Sequence, residues 1–165
     1  MNYADYKKFD MLNGKGIRHS LFVSGCHFRC KGCWNAVAWN PNFGKPYTKD
    51  LEDKIVEDCC DTKIDGLSLL GGEPFDHAGD LLSLVHRVED KGRSIWAWTG
   101  NTFEELMENG SEEQKLLLLS IDVLVDGQFM IDKKDLSLPF RGSSNQRILN
   151  APVSIFKQKA VLYQL

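Results

Sequence analysis

A chain of 165 residues and 18.7 kDa has the size of one ordinary domain, and it is too short for a closed eight-stranded β/α barrel, which takes about 250 residues. Hydrophobic residues make up 42% and charged residues 26%, enough to bury a core, and no apolar run reaches the length of about 18 residues that a membrane span needs. The formal net charge of -3 hides basic ends around an acidic middle, but the Lys and Arg residues are scattered and no groove-reading motif accompanies them, so no nucleic-acid partner is expected.

The N-terminus, MNYADYKKFDMLNG, has no apolar signal segment, which argues for a cytoplasmic protein with no membrane attachment. The stretch IRHSLFV at 17–23 is apolar and β-prone and leads directly into a loop rich in cysteine. Thr48 is a plausible N-cap for a helix with Asp50 and Glu52 in its first turn and an apolar stripe of Leu51, Ile55, Val56 and Cys59. A short buried strand follows at 66–70 (GLSLL), then GGEP at 71–74. A helix spans 78–90, with Leu81, Leu82, Leu84, Val85 and Val88 on its buried side. Next come a strand at 93–99 (RSIWAWT), helices at 102–108 and 112–119, and a strand at 121–125 (IDVLV) before Asp126-Gly127. Trp96 and Trp98 are expected to divide between the core and a helix-facing side.

No repeat or Ser/Pro/Gly-rich linker interrupts this order, so one domain covers 1–165. Strands alternating with helices indicate an α/β fold of mainly parallel βαβ units. Sites in such folds gather at the carboxyl ends of the strands. The cysteine loop, Gly71–Pro74, Thr99-Gly100 and Asp126-Gly127 should therefore share one rim.

Five cysteines without a secretory signal read as reduced thiols. Cys59 and Cys60 are adjacent in a helix, point in different directions and make a poor chelate. Cys26, Cys30 and Cys33 form C-x3-C-x2-C within eight residues. Three soft thiolates suit zinc or an iron–sulfur cluster. A structural zinc site needs a fourth protein ligand, and the nearby candidates, His19 and His27, are awkwardly placed. A four-iron cluster held by three cysteines keeps one iron open, which serves an enzyme better than an electron carrier.

The C-x3-C-x2-C triplet after a first strand, with GGEP after the next, resembles the radical S-adenosylmethionine superfamily. More narrowly, NGKGIR at 13–18, VSGC, CKGCWN, WAWTGNTFEEL at 96–106, VLVDGQF at 123–129 and RGSSNQR at 141–147 resemble the activating proteins of anaerobic (class III) ribonucleoside-triphosphate reductases. Lys15 stands where that family usually has Pro, and Trp34 where it usually has Tyr. The resemblance implies a partial, open (β/α) barrel with a [4Fe-4S] cluster on Cys26, Cys30 and Cys33. It implies S-adenosyl-L-methionine as second cofactor, contacted by Gly32, Cys33, Trp34, Gly71, Gly72, Glu73, Thr99 and Asp126. It implies reductive cleavage of that cofactor, with no side chain as general acid or base, and a glycyl radical made on the reductase large subunit. A one-electron donor such as a flavodoxin or ferredoxin would feed the cluster. RGSSNQR is either a docking or site-closing loop or a hydrogen-bonded tie for the tail. Competing readings are an activase for another glycyl-radical enzyme, a small iron–sulfur carrier and a zinc-stabilised module.

Overall fold

The computed structural model describes residues 1–165. Seven strands form one mixed sheet: β1 (Asn2–Asp10), β2 (Arg18–Val23), β3 (Lys45–Pro46), β4 (Gly66–Gly71), β5 (Ser94–Trp98), β6 (Val123–Asp126) and β7 (Arg147–Asn150). Their spatial order is β3-β1-β2-β4-β5-β6-β7, so the sheet has two edges and does not close. The middle four, β2, β4, β5 and β6, are parallel. β1 and β7 join antiparallel at either side.

Five helices connect or follow the strands: α1 (Lys49–Asp58), α2 (Ala78–Glu89), α3 (Phe103–Asn109), α4 (Glu112–Leu119) and α5 (Ala151–Lys157). Thr48 caps α1 by accepting from the Leu51 amide at 3.2 Å. Thr102 with Glu105 and Ser111 with Gln114 close reciprocal capping boxes on α3 and α4, which satisfies donors that a helix start otherwise leaves unpaired. Ile55, Leu81, Phe103, Leu117 and Ala151 bring all five helices into one core of 23 buried residues. The strands supply alternate residues to it, among them Leu67 and Leu69, Ile95 and Ala97, as the two-residue strand period requires.

The opposite face carries Trp96, Val123, Val125 and Ile148, with Trp98 and Phe140 against them. Trp96 and Trp98 therefore share this face, their ring centroids 5.9 Å apart. The expectation that one would turn to a helix fails because residues two apart in a strand point the same way. At the amino ends of the strands Arg18 is buried. It donates to Ser68 Oγ at 2.8 Å, the Ser94 carbonyl oxygen at 2.8 Å and the Leu67 carbonyl oxygen at 2.9 Å. Its guanidinium lies 5.5 Å from the Trp96 ring. Burial without a carboxylate contact lowers its pKa to about 10. These bonds seal that end of the open face, and the carboxyl ends remain for the site.

Candidate functional site

β2 delivers the chain into an irregular loop that ends in a short 3-10 turn, Ala36–Trp39. Backbone bonds frame this loop. Gly25 N donates to the Ala38 carbonyl at 2.7 Å and Cys26 N to the Trp39 carbonyl at 3.2 Å. From β4, Gly72 N donates to the Val23 carbonyl and Glu73 N to the Gly25 carbonyl, each at 2.8 Å. The two motifs are thus stitched together by main-chain bonds. Two glycines are needed for this approach: Gly71 has φ +117°, and a Cβ on Gly72 would strike the Gly25 carbonyl oxygen. A side-chain tie reinforces the join, since Asp76 accepts from the His27 amide at 3.2 Å and meets its Nδ1 at 2.8 Å.

Cys26, Cys30 and Cys33 are free and half-buried in this loop. All three line one cavity of about 700 Å³, within the size range of ligand pockets. Cys59 is buried in the core and Cys60 lies on the surface. Three soft thiols on one cavity suit a group with several metal atoms, each taking one sulfur. The residues fit an iron–sulfur cluster.

The rest of the cavity comes from the strand ends. Gly71 ends β4 and Gly72 and Glu73 follow it, Thr99 and Gly100 follow β5, and Gly127 follows β6. Phe22, Phe28, Trp34, Trp98, Phe129 and Phe140 provide aromatic walls. Trp34 is 68% exposed, and Lys134 Nζ stands 4.6 Å from its ring. Glu73 is 1% exposed. Its two carboxylate oxygens accept from the Phe75 amide at 3.0 Å and the Gly100 amide at 2.7 Å. Burial still pushes its pKa up to about 7. Arg141 lines the same cavity, and its buried Nε has no hydrogen-bond partner. Apolar walls, a buried carboxylate and an unsatisfied donor fit a ligand that carries a flat ring and both charges of an amino acid.

The structure brings Cys33, Trp34, Gly71, Gly72, Glu73 and Thr99 onto this cavity together with Cys26 and Cys30. Gly32 sits beside it, with the Ile131 and Phe129 side chains over its Cα. Asp126 lies in an adjoining polar cavity of about 600 Å³ that shares Gly100 and Gly127 with the first. It is 1% exposed, accepts from the Phe103 amide at 2.7 Å and pairs with Arg147 Nη2 at 2.6 Å. Arg147 also bridges to Glu104 at 2.7 Å. Arg147→Met should cost about 2 kcal/mol in urea unfolding. That is below the usual figure for breaking a buried pair, because Arg147 is 34% exposed.

Sequence reasoning passed over Phe28, Phe129 and Phe140, and it left Trp98 out of the site. Phe28, Phe129 and Phe140 carry a signal as aromatic residues in loops, whereas Trp98 closes β5 on the face of Trp96. RGSSNQR both closes the cavity, through Arg141, Gly142 and Gln146, and ties the tail, through Arg147.

Residues 12–149 match the family described as a 4Fe-4S single cluster domain. The anaerobic ribonucleoside-triphosphate reductase-activating protein of Escherichia coli (strain K12) is 48% identical over 152 residues, covering 88% of this chain and 96% of the relative. That of Vibrio cholerae serotype O1 is 47% identical, covering 90% of this chain and 97% of the relative. That of Enterobacteria phage T4 is 32% identical, covering 95% and 99%. With this identity along almost its whole length, and with its cysteine loop inside the matched region, the chain belongs to the family of anaerobic ribonucleoside-triphosphate reductase-activating proteins.

Proposed function

We propose that this chain is a radical S-adenosylmethionine activase whose substrate is the anaerobic ribonucleoside-triphosphate reductase. The observation that carries the reading is the shared cavity, where three half-buried thiols after β2 meet Gly71–Glu73 at the end of β4 and Thr99 after β5. The names of the relatives point to the reductase as the target. When bound, a [4Fe-4S] cluster and S-adenosylmethionine would supply one-electron reductive carbon–sulfur cleavage, the chemistry that would place a glycyl radical on the reductase large subunit.

The chain's own residues hold and orient. Cys26, Cys30 and Cys33 would hold the cluster. The Gly71 and Gly72 carbonyls and Glu73 would receive the ammonium group of S-adenosylmethionine. Gly32, Cys33 and Trp34 would border the adenine. Thr99 is the strand-end contact for the ribose or sulfonium, since Asp126 lies in the adjoining cavity and is already held by Arg147. The aromatic walls exclude water and competing hydrogen donors. A single domain over 1–165, read as a partial barrel left open at its edges, gives a large protein substrate room to insert a glycine loop. No helix is long and apolar enough to cross a membrane, in keeping with a cytoplasmic enzyme fed by a flavodoxin or ferredoxin.

Anaerobically reconstituted protein should show a reduced-cluster EPR signal that shifts when S-adenosylmethionine is added. It should then release 5′-deoxyadenosine. Mixed with the reductase, it should produce a glycyl-radical doublet. A purified chain holding one tight zinc and no iron would overturn the proposal.

A further inference from the structure

The rim beside the cysteine loop carries positive charge that the chain leaves mostly unpaired. Residues 26–34 hold Arg29 and Lys31 and no acid, and residues 128–142 add Lys133, Lys134 and Arg141 against Asp132 and Asp135. That is a balance of +3 in a chain whose net charge is -3. The two segments touch: the Ile131 side chain packs over the Gly32 Cα, and Lys134 Nζ stands 4.6 Å from the Trp34 ring. Arg29, Lys31, Lys133 and Lys134 are all exposed, and none takes part in an ion pair. The acids nearby are engaged elsewhere. Asp76 holds His27 at 2.8 Å, Asp135 accepts from the Ser137 hydroxyl at 2.6 Å, and Glu73 accepts from two backbone amides. Asp132 is the one free counter-charge.

The backbone at Arg29 adds a second observation. Its φ is +50°, in the left-handed region that glycine enters freely and most side chains avoid. Strain of this kind is retained where a site needs it. Here it holds a guanidinium immediately before Cys30, at a turn where glycine would fold more easily.

We propose that Arg29, Lys31, Lys133 and Lys134 form the docking surface for an acidic one-electron carrier protein. This rests on the reading of Cys26, Cys30 and Cys33 as cluster ligands. A reduced carrier seated there gives one electron to the cluster and is itself oxidised by one, and no bond forms or breaks. Such a carrier needs only nearness to the cysteines, and Arg29 and Lys31 flank Cys30 directly. The reductase, by contrast, must reach into the cavity. Opposite charges steer a brief encounter and raise its rate, and the gain fades as salt is added.

The test is stopped-flow reduction of the reconstituted full chain by a reduced flavodoxin of net negative charge. Photoreduced deazaflavin, a small neutral reductant, is the control. Arg29→Gly relieves the left-handed backbone while it removes the charge, so Tm and iron content should not fall. Its second-order rate with flavodoxin should drop about tenfold at low salt. Lys31→Glu should slow at least as much. The wild-type rate should fall towards both as ionic strength rises from about 0.01 M to about 0.5 M. Deazaflavin should reduce all three proteins at one rate. Wild-type flavodoxin rates in both variants overturn the proposal, as does equal slowing with deazaflavin, which would mean an altered cluster. Unslowed reduction with a weakened glycyl-radical yield would assign the surface to the reductase and overturn it as well. If Arg29→Gly takes up no iron, Lys31→Glu decides. Wild-type protein that takes up no iron would instead sink the ligand assignment.

Discussion

Cys30→Ala should reduce S-adenosylmethionine cleavage to background and lower the iron content, whereas Cys59→Ala should retain both. Cys30 stands in an irregular loop, half-buried and on the cavity. Cys59 follows α1 and lies inside the main core. There burial pushes its thiol up to about 12, so the side chain stays protonated and behaves as a small apolar group. Losing its sulfur leaves a small void, worth about 1–2 kcal/mol in unfolding free energy, with no effect on chemistry. Cys60 donates its thiol to the Val56 carbonyl at 3.4 Å, another local role. The check is iron per chain, product by chromatography and Tm for each variant. Equal losses at Cys30 and Cys59 would remove the ligand assignment.

Glu73 gives the second large effect. Its carboxyl has a pKa near 7 in the folded protein because burial disfavours the charge, against 4.5 for the free group. The folded state therefore binds this proton more tightly than the unfolded chain. The resulting stability is complete below about pH 4.5 and is lost as pH rises through 7, a change of about 3 kcal/mol. Gln at this position cannot titrate, and its NH2 would confront one of the two backbone donors at Phe75 and Gly100. In urea unfolding of cofactor-free protein, the advantage of the wild type over Glu73→Gln should shrink by about 3 kcal/mol between pH 5 and pH 8. A constant difference would mean that Glu73 is ionised throughout.

The parallel centre of the fold was legible because its strands are buried on both faces. GLSLL and IDVLV are largely apolar short runs, each with a single polar residue, closed by glycine or acidic turn residues, and such runs admit few other readings. β1 was not legible, since NYADYKKFD is largely polar, buries only Asp10 fully and pairs as a near-edge strand. β7 and α5 are four and seven residues long, too short for a period to emerge. The cysteine loop and GGEP announced themselves through residue chemistry, whereas the aromatic walls depend on loops meeting in space. Asp126 shows the limit most clearly. An acid at a strand end gives no sign in the sequence that Arg147, 21 positions later, is its partner.

The main-chain stitching between the cysteine loop and GGEP bears on how the enzyme is assembled. Gly25, Cys26, Gly72 and Glu73 are fixed by backbone bonds and rest on a core elsewhere in the chain, unlike zinc fingers, whose folding energy comes from the metal. The polypeptide can thus fold first and receive iron afterwards. On the proposed reading, a cluster lost from this site would leave the frame that held it in place, and the same chain could take up iron again.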